Sequence, residues 1–287
     1  MRSVIVSFFI VFALSINLCG QRFDPDFFCF EDAFLLTGNY TFEDQASILN
    51  QLGFDGIELE GLENSGEKLE IMDRLNLPVS MVYIQIDLEK EEPYDPKLVD
   101  FIRKVRDRGV TLWLHIHSVQ FKPSDPEGDR LCVPVIQKLA DLAQQYNVKI
   151  ALYPHSRFWL EKVEDSVRLT EKINRKNVGA VFNLCHFLKT DDRNKLEEKL
   201  INSIPYLAAV SINGADDGMT NEMEWDRLIQ PLGEGSFDVL SVLMLLRDNN
   251  YRGPVGLQCY NIAGDPAEFL ARSMKTWNSY IKELSEN

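Results

Sequence analysis

Short runs of β-branched and aromatic residues alternate with longer amphipathic runs along nearly the whole chain, and this alternation constrains the fold most strongly. Runs of the first kind predict strands and runs of the second kind predict helices, and their alternation is typical of βαβ units with a parallel sheet. The predicted strands are 27–31, 56–60, 80–85, 111–117, 149–154, 180–184, 208–212 and 255–260. The predicted helices include 41–52, 96–108, 133–146, 163–174, 191–202, 237–249 and 265–284.

Eight such units favour a closed barrel over an open sheet. A (β/α)8 TIM barrel needs about 250 residues, and this chain has 287. Residues 21–287 are therefore predicted to form one α/β domain with a TIM-barrel fold. No Gly-x-Gly-x-x-Gly motif follows a predicted strand, so a dinucleotide-binding fold gains no support.

Residues 1–20 have the pattern of an export signal. Arg2 supplies a positive charge, an almost wholly apolar run follows over residues 4–14, and small or polar residues continue to Gly20. We expect cleavage after Gly20 and a periplasmic or secreted protein. The apolar run is shorter than the roughly 20 residues of a membrane-spanning helix, so no membrane span is expected. Cys19 offers the alternative of a lipid anchor, which Leu18 disfavours because a small residue is usual there.

The net charge of −14 bears on the partners of the protein. Nucleic acids are bound through clustered Lys and Arg side chains that neutralise phosphates. An acidic chain of this kind is not expected to have a nucleic-acid partner. The sequence gives no prediction of the oligomeric state.

All four histidines of the chain fall where a barrel places its active site, at the C-terminal ends of the strands and in the loops after them. His115 and His117 end the fourth predicted strand, His155 follows the fifth and His186 follows the sixth. His115 and His117 are two residues apart, so their side chains point the same way. Histidine can act as an acid or base near neutral pH, bind a metal or hydrogen-bond a hydroxyl group.

Three motifs are similar to those of a known family. Residues 53–60 (GFDGIELE) resemble the second-strand signature of sugar isomerase/epimerase and endonuclease-IV-like barrels. Residues 183–186 (NLCH) are similar to an Asp-x-x-His motif after strand six, and residues 232–238 (LGEGSFD) with 251–258 (YRGPVGLQ) resemble the approach to strand eight. Nearly the whole chain from about Phe28 thus resembles the xylose-isomerase-like sugar isomerase/epimerase barrels.

The resemblance implies a divalent metal held by Glu, Asp, His and Glu after strands five to eight, but this chain departs from that ligand set. The corresponding residues are Tyr153, Asn183, a residue near Ser211, and Gln258, and only the accompanying His186 matches. These are neutral donors, whereas divalent cations prefer anionic oxygen or imidazole ligands. We therefore expect no metal and no other cofactor, and we expect the family's two-glutamate proton transfer to be lost.

The residues predict a carbohydrate-active enzyme, an isomerase, epimerase or lyase, that uses acid–base chemistry without a metal. His155 or His117 would be the general base, Tyr153 the acid partner or oxyanion donor, and His186 a further catalytic residue. The ligand would be a small sugar or glycan fragment. The predicted substrate-binding residues are Glu58, His115, Arg157, Asn183, Asn213, Gln258 and Tyr260.

Two alternatives remain open at this point. A neutral, amide-rich pocket also suits a barrel that binds a sugar without converting it. A metal-dependent isomerase or epimerase would need a rearranged ligand set, for which the sequence offers His117, His155, His186 and Glu58. A nuclease is disfavoured by the acidity of the chain and by the missing ligands.

Overall fold

Eight parallel strands close into a barrel in the computed structural model, which describes residues 23–36 and 38–286. Each strand pairs with the next, and β1 pairs with β8 to complete the ring. The predicted single-domain (β/α)8 fold is thus confirmed. The strands are β1 (Phe27–Phe30), β2 (Gly56–Glu60), β3 (Val79–Asp87), β4 (Thr111–His117), β5 (Lys149–Leu152), β6 (Val178–Asn183), β7 (Leu207–Ile212) and β8 (Val255–Leu257).

Helices follow the strands and cover the outside of the barrel. Helix starts coincide with capping residues: the Thr41 hydroxyl and the Asp44 carboxylate bond each other's backbone N–H groups, and Asp238 accepts from the Ser241 N–H. The helices are α1 (Asp32–Leu35), α2 (Phe42–Leu52), α3 (Ser65–Arg74), α4 (Lys97–Lys104), α5 (Asp129–Gln144), α6 (Val163–Ile173), α7 (Leu184–Thr190), α8 (Leu196–Ser203), α9 (Trp225–Leu228), α10 (Val239–Asp248) and α11 (Pro266–Glu286).

The barrel interior is a small core of its own, separate from the larger core between strands and helices. Phe28 and Phe30 of β1 meet the edge of the Trp113 ring, with ring centroids 5.9 and 5.5 Å away. Gly256 of β8 faces these two phenylalanine rings, and a Cβ atom there would lie 2.5 Å from the Phe28 ring. The bulky rings fill the barrel below its C-terminal end, so that end is where a cavity can open.

Two further features of the described residues concern membrane spans and cysteines. The described part contains no helix that is both long enough and apolar enough to span a membrane. Cys29, Cys132, Cys185 and Cys259 are buried free thiols. The predicted signal at residues 1–20, with Cys19, lies outside the described residues, and export stays a prediction.

Gly235 lies where the loop before α10 crosses the segment after β7, and we expect alanine there to be strongly destabilising. Its φ is +82°, and a Cβ atom would lie 2.0 Å from the Ala215 carbonyl oxygen. Left-handed backbone costs an L-residue about 1–2 kcal/mol, and the clash adds to this. Gly53→Ala is the matched control, because Gly53 has φ +85° but open space around it. Urea unfolding should show a clearly larger loss of stability for Gly235→Ala, and equal losses would contradict the close approach of these two segments.

Candidate active site

A cavity of about 510 Å³ opens at the C-terminal end of the barrel, within the usual range for small-ligand sites. All four histidines line it, as the sequence predicted for that face. Its walls also carry aromatic and carboxylic side chains from the first four strands and from loops at the same end of the barrel. The lining residues are Phe30, Asp32, Leu35, Glu58, Glu60, Tyr83, Gln85, Trp113, His115, His117, Tyr153, His155, Ser156, Arg157, Phe158, His186, Trp225, Ile229, Gln258 and Tyr260.

The turn after β5 holds His155 in place. The His155 backbone N–H donates to the Leu160 carbonyl (2.9 Å), and the His155 carbonyl accepts from the Phe158 N–H (3.1 Å). The Phe158 ring stacks on the His155 ring with centroids 3.9 Å apart. Arg157, at the tip, has φ +71°, and its N–H donates to the Glu161 carboxylate (2.9 Å). This closed turn, with a left-handed residue at its tip, fixes the position of the His155 side chain.

The hydrogen bonds of His155 and His186 determine which ring nitrogens carry protons. His155 Nδ1 lies 2.8 Å from the Ser156 carbonyl oxygen, so Nδ1 is the donor and Nε2 is left with its lone pair. The Ser156 N–H donates to His186 Nδ1 (3.4 Å), so the His186 proton is on Nε2. The two rings lie side by side, 4.0 Å between centroids. The site therefore pairs a proton acceptor on His155 with a proton donor on His186.

His115 and His117 contact each other directly. His115 Nδ1 lies 2.8 Å from His117 Nε2, which confirms that the two side chains point the same way. The Tyr83 ring stacks on His115 (4.0 Å between centroids), and Phe158 packs on His117 (3.7 Å). The contact engages Nε2 of His117, whereas the hydrogen bond of His155 uses Nδ1 and leaves Nε2 with its lone pair, so His117 is less free than His155 to exchange a proton through Nε2.

Burial favours the neutral form of these imidazoles. It lowers the pKa of His155 to about 4 and that of His115 to about 2. It lowers the pKa of His117 as well, and it holds the pKa of His186 well below its usual range. The four rings are therefore uncharged near neutral pH, which is the form in which a histidine can accept a proton.

Tyr153 stands at the centre of a network of neutral groups. Its hydroxyl oxygen accepts hydrogen bonds from Asn183 Nδ2 and from Gln258 Nε2 (3.4 Å to Gln258). Both amides have a fixed orientation, because Asn183 Oδ1 accepts from the His186 N–H (3.2 Å) and Gln258 Oε1 accepts from the Tyr260 N–H (2.9 Å). With two donors on its oxygen, the phenol is left to donate its own proton.

This network does not fit a divalent metal. Three of the positions that carry ligands in the related barrels, Tyr153, Asn183 and Gln258, hold neutral groups that bond each other. Ser211, near the fourth position, is fully buried and its hydroxyl has no partner. In the described part of the chain no group of three or more His, Cys, Asp or Glu side chains is arranged to hold a metal ion. The donor chemistry of these residues is therefore unlike a hard-cation site.

Carboxyl groups face the histidines from the β1 and β2 side of the cavity. Both Glu58 carboxyl oxygens and Asp32 Oδ1 are buried without a hydrogen-bond partner. Burial raises the pKa of Glu58 and of Asp32 well above the usual range, with the neighbouring carboxylates adding to it. Burial and the Glu31 carboxylate raise the pKa of Glu60 to about 7. Glu58 and Asp32 therefore favour the protonated form, in which a carboxyl can donate a hydrogen bond to a ligand oxygen, whereas Glu60 is about half protonated near neutral pH.

Nine of the eleven residues predicted from the sequence line the cavity: His115, His117, Tyr153, His155, His186, Glu58, Arg157, Gln258 and Tyr260. Asn183 lies beneath the cavity, where it caps α7 and bonds Tyr153. Asn213 is fully buried, and its amide donates to the carbonyls of Gly214 (2.7 Å) and Leu228 (2.6 Å). Neither asparagine lines the cavity, and both side-chain amides make hydrogen bonds within the protein.

Several residues that line the cavity were given no role in the sequence-based prediction. Tyr83 and Gln85 could have been found, because they alternate along β3 with the same period that selected His115 and His117. Asp32 and Glu60 were selected by the rule that barrel sites form at strand ends, but no role was predicted for them. Trp225 had no such signal, because the segment after β7 brings it back over His186, with centroids 5.4 Å apart.

A TIM barrel with a cavity at its C-terminal end is the architecture of many enzymes, and the sequence of this chain defines its family. The family model of the xylose isomerase-like TIM barrels matches residues 46–280. The chain belongs to this family.

Individual relatives have low sequence identity to this chain. An inosose isomerase of Halalkalibacterium halodurans is 25% identical over 134 residues, which are 46% of this chain and 46% of that protein. The chain spans about half the length of the curated relatives it matches. A 3-keto-D-glucoside 4-epimerase from E. coli has a similar structure, with a TM-score of 0.70, 18% identity, and coverage of 89% of this chain and 100% of that one. A protein named IOLI, solved with a bound zinc atom, has a TM-score of 0.71 at 17% identity and covers 90% and 98%.

Proposed function

We propose that this protein is a sugar isomerase or epimerase that moves a proton next to a carbonyl group without a divalent metal. The observation that carries the proposal is the pairing in one cavity of a proton-accepting nitrogen on His155 with a proton-donating phenol on Tyr153. Family membership and the names of the relatives, an inosose isomerase and a keto-glucoside epimerase, support the reaction class. Export by residues 1–20 is part of the proposal.

The proposed reaction has two half-steps. His155 Nε2 takes the proton from the carbon beside the carbonyl, and the electron pair of that C–H bond forms an enolate. The Tyr153 hydroxyl, which its two amide donors leave free to donate, stabilises the enolate oxygen. In an isomerisation, Tyr153 gives its proton to the enolate oxygen and regains one from the hydroxyl of the neighbouring carbon, which becomes the new carbonyl, while the proton on His155 Nε2 adds to the former carbonyl carbon. In an epimerisation, the protonated Glu58 carboxyl gives a proton to the opposite face of the same carbon, and the original carbonyl re-forms. His186 Nε2–H and, in its protonated form, the Glu60 carboxyl hold further ligand oxygens.

We expect turnover to survive removal of metal ions. The protein, treated with a chelator and checked by elemental analysis, should convert keto sugars or keto-inositols at its untreated rate, because no residue of the proposed mechanism uses a metal. The panel should include the classes named for the relatives, keto-glucosides and inososes. Loss of all turnover on chelation, restored by manganese or zinc, would contradict the proposal. Tight binding of an unchanged sugar would favour a binding protein instead.

Activity should persist in mild acid. The neutral His155 ring is the proton acceptor, so activity is lost only as the pH falls through its pKa, which burial lowers to about 4. A solvated histidine, with a pKa of about 6.5, would already be protonated at pH 5. The acid limb of kcat/KM against pH should therefore have its midpoint near 4. A midpoint near 6.5 would show that the acting base is a solvated histidine and not this buried one.

A further inference from the structure

A second cavity of about 630 Å³ lies beside the histidine-lined one, against the loops after β2 and β3. Each cavity alone has the size of a small-ligand site. The loop that forms the far wall is well tied down: the Asp87 N–H donates to the Pro93 carbonyl (2.8 Å), and the Leu88 N–H donates to the His117 carbonyl (3.1 Å). The second cavity is therefore a formed part of the barrel mouth.

Tyr83 and Gln85 line both cavities, so a ligand that passes over these two side chains would occupy both. Tyr83 is held by stacking on His115 (4.0 Å between centroids) and by an edge contact with Tyr153 (5.3 Å). Gln85 Nε2 donates to both oxygens of Asp87 (3.1 and 3.0 Å). The side chains that separate the two cavities are thus fixed by contacts with residues on both sides.

The chemistry of the second cavity suits an uncharged, hydroxyl-rich group. Its aromatic wall is Tyr83 with Tyr94, on which a sugar ring can pack. Its charged lining has four acids, Glu63, Asp87, Glu92 and Asp95, against two lysines, Lys90 and Lys97. Lys90 is paired with Asp87 at 2.6 Å. The remaining carboxylates can accept hydrogen bonds from hydroxyl groups and would repel a phosphate or a uronate.

We propose that the second cavity holds a second, uncharged sugar unit, so that the substrate is a disaccharide or glycoside whose reacting ring occupies the histidine-lined cavity. This inference rests on the proposed function for the identity of the reacting ring. The position of the second cavity and its shared wall carry it. A free monosaccharide would fill only one of the two cavities and would gain nothing from Tyr94.

The test compares 3-keto-D-glucose with α- and β-linked 3-keto-glucosyl-glucose disaccharides, by calorimetry for Kd and by turnover for kcat and KM. At least one disaccharide should bind about tenfold more tightly than the monosaccharide, as expected for one packed aromatic contact. Tyr94→Ala should abolish that difference and leave the monosaccharide unchanged. Tyr206→Ala is the control, because Tyr206 is also half-buried but bonds Glu171 (2.6 Å) beside the start of β7, at the opposite end of the barrel.

The outcomes separate this inference from the proposed function. Equal binding of mono- and disaccharides, or an equal effect of Tyr94→Ala on both, would overturn the second sugar site even if turnover occurs. Tight disaccharide binding that depends on Tyr94, without turnover, would support the second site and defeat the proposed isomerase. Absence of binding by every sugar in the panel would overturn the inference as well.

Discussion

His155→Asn should lower kcat by about 10²–10⁴-fold, the usual contribution of a positioned general base, with little change in KM. Asparagine retains a donor where His155 Nδ1 meets the Ser156 carbonyl, so the turn should keep its shape. The substitution removes Nε2, the ring nitrogen of His155 that has a free lone pair. Steady-state kinetics on the keto sugar that gives the highest turnover would measure both constants.

His117→Asn is the matched control for this prediction. His117 Nε2 already contacts His115 Nδ1, and the His117 ring packs on Phe158. Loss of the His117 imidazole should therefore reduce kcat far less than loss of the His155 imidazole. Equal losses for the two variants would show that the base is not His155. A larger loss for His117→Asn would move the role of base to the histidine pair of β4.

Tyr153→Phe should damage both catalysis and stability. Removal of the hydroxyl takes away the proposed oxyanion donor, which we expect to lower kcat by about 10²–10³-fold. It also leaves Asn183 Nδ2 and Gln258 Nε2 without their shared acceptor. A buried polar group left unpaired costs about 1–3 kcal/mol, so urea unfolding should show a loss of about 2 kcal/mol.

Tyr251→Phe separates the two effects of this substitution. Tyr251 is buried to a similar degree, and its hydroxyl donates to the Pro254 carbonyl (2.7 Å), outside the cavity. Loss of the Tyr251 hydroxyl should reduce the stability of the protein and leave kcat unchanged. If Tyr153→Phe lowered kcat no more than Tyr251→Phe does, the phenol would be structural and the acid role would have to pass to another donor.

The strands and their order followed from local patterns in the sequence. β2 and β4 have the predicted bounds, Gly56–Glu60 and Thr111–His117, because each is a continuous β-rich run between loop residues. β5 and β8 end earlier than predicted, at Leu152 and Leu257. The backbone N–H groups of Tyr153 and Gln258 make the last hydrogen bonds to the neighbouring strands, at Leu114 and Ile212, and both side chains line the cavity. Local propensity describes the strand well but not the point where tertiary contacts bend the chain away.

The position of a site residue could be predicted where strand direction determines it. It could not be predicted where a long loop determines it. The position of the histidines follows from the rule that parallel strands end on one face. The partner of each side chain does not follow from that rule: Asn183 was expected to contact ligand, yet its place at the start of α7 makes it a helix cap. The raised pKa of Glu58 depends on burial and on carboxyls brought together from β1 and β2, which sequence spacing alone does not show.

The most direct test of metal-free proton transfer is exchange of substrate hydrogen with solvent. The metal-depleted protein would be incubated with keto sugars in D2O, and the carbon positions beside the carbonyl followed by NMR. We predict deuterium incorporation at one such position at the same rate with and without chelator, and incorporation slowed by about 10²–10⁴-fold with the His155→Asn variant. Exchange that appears only after a divalent metal is added, or that continues undiminished in His155→Asn, would contradict the assignment of His155 as the metal-independent base.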